Sequence, residues 1–156
     1  MAALDKAQGD SDTVADDFTD PLEMRPGYQL KRAAAAAMSD LNERLAVLDL
    51  RQVDASVMLM IDAIPNVIAS HIGRVLDIKS ANMVPLLRRL EERRLIEKVP
   101  LDGKSHGLHL TAEGDVLLVE ARAILDQFEI DLMERIPFQH REHLAPALRA
   151  IWHSVD

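Results

Sequence analysis

Apolar positions recur at three- and four-residue steps along most of the chain, the spacing that lines one face of an α-helix. After Pro26, a residue that a first helical turn tolerates, Leu30, Ala34, Ala37, Met38, Leu41, Leu45 and Leu48 keep that rhythm and predict helix 1 over about residues 27 to 48. Asp54 stands where it can cap a second helix running through Ile64, with Val57, Met58 and Ile61 inward and Pro65 as its stop. Asn66 can cap a third, with Ile68, Ile72, Val75 and Leu76 facing inward. A fourth follows Ile78 and Lys79, carries Met83, Leu86, Leu87 and Leu90 at helical spacing, and ends near Arg94. The period then shortens to two. Leu95–Val99 is strand-like, Asp102 and Gly103 signal a turn, and Leu108–Thr111 alternates, which predicts a two-stranded hairpin. Thr111 with Gly114 opens a helix over residues 112 to 136, whose stripe is Leu117, Ala121, Ile124, Phe128, Leu132 and Ile136. At 1.5 Å per residue it is about 37 Å long, more than so small a globule requires. Pro137 ends it, and a last helix puts Leu144, Leu148, Ile151, Trp152 and Val155 on one face.

The expected fold is therefore mainly α with a small β-hairpin. Three short helices followed by a hairpin is the winged helix-turn-helix layout, in which the last short helix enters a DNA major groove and the hairpin reaches the flanking backbone. Four segments follow from this order: an acidic flexible arm at residues 1–24, helix 1 at 25–50, the winged helix-turn-helix at 51–111 and a pair of C-terminal helices at 112–156. A short helical turn near Thr13–Phe18 is an option within the arm.

Composition narrows the chemistry. The chain of 156 residues has 48% hydrophobic and 28% charged positions, the balance of a folded globular domain. It contains no cysteine, which removes disulfides, thiolate catalysis and Cys-type zinc sites. No apolar run approaches the roughly 20 residues of a membrane span, and the acidic start does not resemble a targeting peptide, so no membrane association and a cytoplasmic location are expected. No Gly-x-Ser-x-Gly elbow, Gly-rich phosphate loop or His-Glu-x-x-His helix occurs, so an enzyme is not expected. The formal net charge of −8 argues, taken whole, against a polyanionic partner. Its distribution argues the other way: residues 1–24 carry seven acids and one Lys, whereas residues 71–109 carry eight Lys and Arg, five acids and three His.

Within that basic segment the motifs take a recognisable form. Leu76 to Ile96, reading LDIKSANMVPLLRRLEERRLI, fits without a gap the recognition helix and wing approach of the MarR family of bacterial transcriptional regulators, which the chain resembles. Asp102-Gly103-Lys104 falls where that family has its wing Asp-x-Arg, and Leu110-Thr111-Ala112-Glu113-Gly114 is similar to its Leu-Thr-x-x-Gly. These motifs span about a quarter of the chain, and the helix order extends the likeness to nearly all of it. Three departures stand out: Lys104 replaces the usual Arg, Arg94 replaces a common Gly, and the wing is about two residues short. Pro85, inside the recognition helix, should forfeit one backbone hydrogen bond and bend the helix unless it falls in the first turns.

The resemblance implies a ligand-responsive DNA-binding regulator, a repressor of a catabolic or efflux operon for aromatic compounds. It also implies a homodimer through helix 1 and the C-terminal helices, on a pseudo-palindromic duplex. With Met83, Leu86, Leu87 and Leu90 inward, Ser80, Ala81, Asn82, Pro85, Arg88 and Arg89 face outward. Asn82 suits an adenine edge, although Ser80 and Asn82 can equally cap the helix. Lys79, Arg88, Arg89 and Lys104 suit phosphates, with a solvated surface as the plain alternative. For an effector, Tyr28 and Arg32 share a face of helix 1, Met58 and Met83 offer apolar walls or ordinary core, and His71 offers a polar contact. A phenolic or aromatic carboxylate, or its coenzyme A thioester, is the expected ligand class. No cofactor is expected. His106 with His109, and His140 with His143, have the spacing of a metal pair, but no metal site is expected because Cys is absent and the first pair falls on strand-like backbone. A helical adaptor without DNA binding and, less favoured, a metal-responsive regulator are the alternatives.

Overall fold

The computed structural model describes residues 20–102 and 105–152. The expected arm at 1–24 lies outside them except at its end, where Asp20–Met24 form a turn closed by Leu22 N donating to Asp20 Oδ1 at 2.9 Å. Thr13–Phe18 lie outside the described residues. Helix α1 (Pro26–Leu45) continues into a 3-10 turn at Ala46–Leu48. Only its last turns are buried in the chain, through Leu41 and Leu45. Asp49, at φ 51°, turns the backbone into α2 (Gln52–Ala63). Asp54 was expected as the cap of α2 but sits one turn in, and accepts from the backbone N–H of Arg51 at 2.7 Å.

Helix α3 (Ala69–Val75) starts later than the sequence suggests, from Ile68. Asn66 does not cap it: at φ 57° it faces the hairpin, with its amide oxygen 2.9 Å from His109 Nε2. Of the four residues expected inward, Ile72 is buried and Leu76 half-buried, whereas Ile68 and Val75 are exposed. Seven residues make only two turns, too few for a stripe to form. Helix α4 (Ser80–Glu92) buries Met83, Leu86, Leu87 and Leu90, as its periodicity predicts.

Strands β1 (Ile96–Pro100) and β2 (His106–Leu110) pair antiparallel, with Ile96 opposite Leu110 and Pro100 opposite His106. Leu108 N also donates to Val67 O at 2.8 Å, which ties the hairpin to the segment before α3. Helix α5 (Ala112–Glu134) is followed by a 3-10 turn at Phe138–His140 and by α6 (Arg141–Trp152).

One core joins these elements. Leu45, Val57, Met58, Ile72, Leu90, Leu108 and Phe128 are its largest fully buried apolar side chains. Phe128 brings α5 into it and lies under the Arg44 guanidinium, 5.6 Å from the ring centroid. Arg44 also bridges α1 and α5, pairing with Asp40 at 2.8 Å and with Asp131 at 2.5 Å. Asp40 further accepts from Arg135. The Arg44 guanidinium holds both carboxyls below their ordinary pKa. No helix among the described residues is long and apolar enough to cross a membrane.

Candidate nucleic-acid interface

The turn between α3 and α4 is tight. Ile78 N donates to Gly73 O at 2.7 Å, and a Cβ on Gly73 would stand 2.9 Å from Ile78 O. Close packing here presents the N-termini of both helices on one surface, with an open groove of about 400 Å³ between them. Ser70, Arg74, Lys79, Ser80 and Val84 line it, over a floor that includes Met83. The residue preceding α4 is Lys79, and no side chain caps the helix, so Ser80 and Asn82 are not used as caps and stand exposed. Arg74 was not among the residues expected from the sequence; it joins them because the short α3 turns it outward. Pro85 is the sixth residue of α4, and the helix runs on unbroken through Glu92.

The two adjacent arginines of α4 part company. Arg88 projects into solvent with its side chain 77% exposed, steadied by Glu92 Oε1 at 2.8 Å. Arg89, expected as a phosphate contact, instead turns inward and pairs with Asp54, which is fully buried. Burial, followed by repulsion from Arg51 and Arg93, holds the Arg89 pKa below the ordinary arginine value. Asp54 thus serves two ends, closing the first turn of α2 and anchoring the recognition helix. Arg93 extends the same grip: it donates to Leu48 O at 3.1 Å and to Asp49 O, at the junction of α1 and α2. Neither partner was visible from periodicity, because an ion pair between two helices leaves no local pattern.

At the hairpin, Lys98 of β1 pairs with Glu91 of α4 at 2.7 Å, tying the wing to the recognition helix. Asp102 accepts from Ser105 N at 2.8 Å across the wing tip. Lys104 lies outside the described residues. Two family-like motifs gain a physical reason here. Arg94, where a Gly is common, adopts φ 56°, a conformation that glycine reaches at no steric cost. Thr111 accepts from Gly114 N at 3.0 Å, and a Cβ on Gly114 would stand 2.0 Å from Leu95 O, so the wing closes only with glycine there.

The five residues expected around an effector are not brought together. Met58 and Met83 are core, because each lies on the inward face of its helix, buried in the shared cluster. This corrects their assignment as ligand walls. Arg32 lies over the Tyr28 ring, 5.8 Å from its centroid, and reaches Asp20 at 4.0 Å on the outer side of α1. His71 is half-buried on α3. A different hollow opens between α2 and α5, lined by Ser56, Leu59, Met60, Ala63, Leu76 and Arg122, with a volume of about 370 Å³. Arg122 pairs there with Asp62. Among the described residues no three His, Asp or Glu side chains converge on a point that could hold a metal ion.

Solved structures of the same architecture include complexes with DNA. The chain is 32% identical to the transcriptional repressor CouR bound to a 23-mer DNA duplex, over 81% of this chain and 91% of that one, with a TM-score of 0.75. The chain belongs to the MarR family of transcriptional regulators. Its MarR-type winged helix-turn-helix also matches CouR bound to p-coumaroyl-CoA, at 31% identity over 81% of this chain and 90% of that one, TM-score 0.75. The S. aureus MepR–DNA complex shares the fold at 19% identity, over 86% of this chain and all of that one, TM-score 0.78. No family model matches the sequence, and no curated protein does.

Proposed function

We propose that this MarR-family chain is a homodimeric repressor that holds a pseudo-palindromic operator and releases it on binding an aromatic acid or its coenzyme A thioester. The observation that carries the DNA reading is the uncapped α4 N-terminus beside a groove edged by Arg74 and Lys79, in a chain 32% identical to a DNA-bound repressor. Ser80 and Asn82 read base edges, and Lys79, Arg88 and Arg74 hold phosphates. Lys104 does so from the wing, and the protein works in the cytoplasm, where its DNA is. The dimer is supported by α6, which buries no residue within the chain and leaves Ile151 54% and Trp152 61% exposed.

The effector belongs in the hollow between α2 and α5. Leu59, Met60 and Leu76 give it apolar walls, and Arg122 gives a cation that can exchange Asp62 for a ligand carboxylate or phosphate. Its size suits one aromatic ring, with any coenzyme A portion lying outside. The position between the winged domain and the long helix lets occupancy alter the spacing of two recognition helices in a dimer. Such a ligand releases DNA only if it binds the free conformation more tightly. A regulated operon for the breakdown or export of aromatic compounds follows from that ligand class. The test is a band shift on the DNA flanking the protein's own gene, with p-coumaroyl-CoA, p-coumarate and benzoate added in turn. Binding reversed by one of these, and no longer reversed in Arg122→Ala, is expected. Failure to bind that DNA, or release that ignores Arg122, would refute the corresponding half of the reading.

A further inference from the structure

Helix α4 carries an apolar patch on the wrong side for a core. Its buried residues, Met83, Leu86, Leu87 and Leu90, fix the inward direction. At about 100° per residue, Ala81, Pro85 and Arg88 project from the opposite side, and Val84 lies on the flank between them and the groove beside α3. All four are exposed, and Val84, at 69%, is the one large apolar residue of this helix outside the core. Both Val84 and Pro85 are costly in a helix: a β-branched residue is a weak helix former, and Pro85 leaves the Ala81 carbonyl without its N–H donor. Neither belongs to the hydrophobic core nor packs against it; Val84 instead edges the groove beside α3. The patch is small, far below a protein-docking surface, and it is bordered by the exposed cations Arg74, Lys79 and Arg88. Its partner is therefore a polyanion that offers an isolated apolar feature, and in the major groove of duplex DNA that feature is the thymine C5 methyl group.

We propose that Ala81, Val84 and Pro85 form a reading surface for thymine methyl groups, making Val84 a specificity-determining residue at A·T pairs of each half-site. This rests on the DNA-binding reading above. Asn82, one position along the same helix, can accept and donate to adenine, so the two devices would select the same kind of base pair.

The experiment starts by enriching duplexes from a random-sequence pool with the full-length protein. In the enriched duplex each thymine is then replaced, one at a time, by deoxyuridine, which removes only the methyl group. Wild-type protein should lose affinity at one or two positions per half-site, about fourfold for each methyl left without apolar contact and about fifteenfold when both half-sites are changed. Val84→Ala, which is exposed and raises helix propensity, should keep wild-type helicity and bind the thymine and deoxyuridine duplexes equally at one of those positions. Indifference of the wild type to every deoxyuridine, or undiminished sensitivity in both Val84→Ala and Pro85→Ala, would overturn the inference while leaving DNA binding intact. Failure to enrich any sequence would overturn the DNA-binding reading itself, and the inference with it.

Discussion

Arg88 and Arg89 are adjacent in sequence yet point about 100° apart around α4, enough to send one guanidinium to solvent and the other to a buried carboxylate. Their substitutions should separate cleanly. Arg89→Met strands Asp54, which is 0% exposed, and removing one partner of a buried pair typically costs about 3 kcal/mol or somewhat less where, as here, one side chain is 32% exposed. Because Arg89 does not reach phosphate, the slope of log affinity against log salt should be unchanged in that variant. Arg88→Ala should do the reverse, leaving the urea midpoint alone and flattening the salt slope by about one phosphate per half-site. An unaltered urea midpoint in Arg89→Met would show that the pair with Asp54 is not formed in solution. A second residue-scale prediction concerns Arg94, held at φ 56° with an exposed side chain. Arg94→Gly relieves a left-handed conformation that costs a non-glycine residue about 1 kcal/mol, so the urea midpoint should rise with no change in slope.

Between elements, the most constrained contact is where α5 starts against β1. Gly114 packs its Cα on the Leu95 backbone, and there the obstructing atoms cannot rotate away. Gly114→Ala should therefore destabilise by about 3 kcal/mol or more, read by urea denaturation, and a wild-type midpoint would mean that the wing sits elsewhere. The α1–α5 clasp makes a different prediction. Asp40 and Asp131 have folded pKa values depressed by Arg44, so the stability they contribute is complete above the unfolded value near 3.9 and is lost as pH falls through the lower folded values. Asp131→Asn should lower stability at pH 7 and reduce its steepness with pH below about 4; parallel curves for variant and wild type would rule the clasp out. The elements themselves were largely legible in the sequence. The thirteen residues of α4 state their inward face four times over, and β1, β2 and α5 announce themselves by changes of period and by the Thr111 and Gly114 pair. Helix α3 was not, because Asn66 has the residue type of a cap but turns its amide to His109. For the site, exposed positions such as Ser80, Asn82 and Arg88, and the inward positions of Met58 and Met83, follow from the helical wheel, whereas Arg89 depended on the buried carboxylate that faces it across the fold.

As a whole molecule the chain is asymmetric in how it covers its apolar surface: the winged domain has a shared core, while α6 and the first turns of α1 have none of it. Every buried residue of α1 lies at its C-terminal end, and Leu30 and Met38 are each 38% exposed. Helix α6 leaves Leu148, Ile151 and Trp152 exposed on an amphipathic helix that a lone chain has no reason to keep ordered. A second copy related by a two-fold axis would cover both surfaces and set two α4 helices on half-sites about one DNA turn apart. This makes assembly and operator affinity one quantity rather than two. Leu148→Asp combined with Ile151→Asp touches nothing in the winged core, so the variant should keep the helical signal of α1 to α5 and sediment with the mass of one chain. Each monomer would then engage one half-site alone and forgo the effective concentration supplied by its tethered twin, weakening operator binding by about 100-fold or more. Half-site affinity, measured on a duplex carrying a single site, should be nearly the same for variant and wild type. A double variant that still sediments as a dimer would place the interface elsewhere, and a monomer with full operator affinity would separate DNA recognition from assembly altogether.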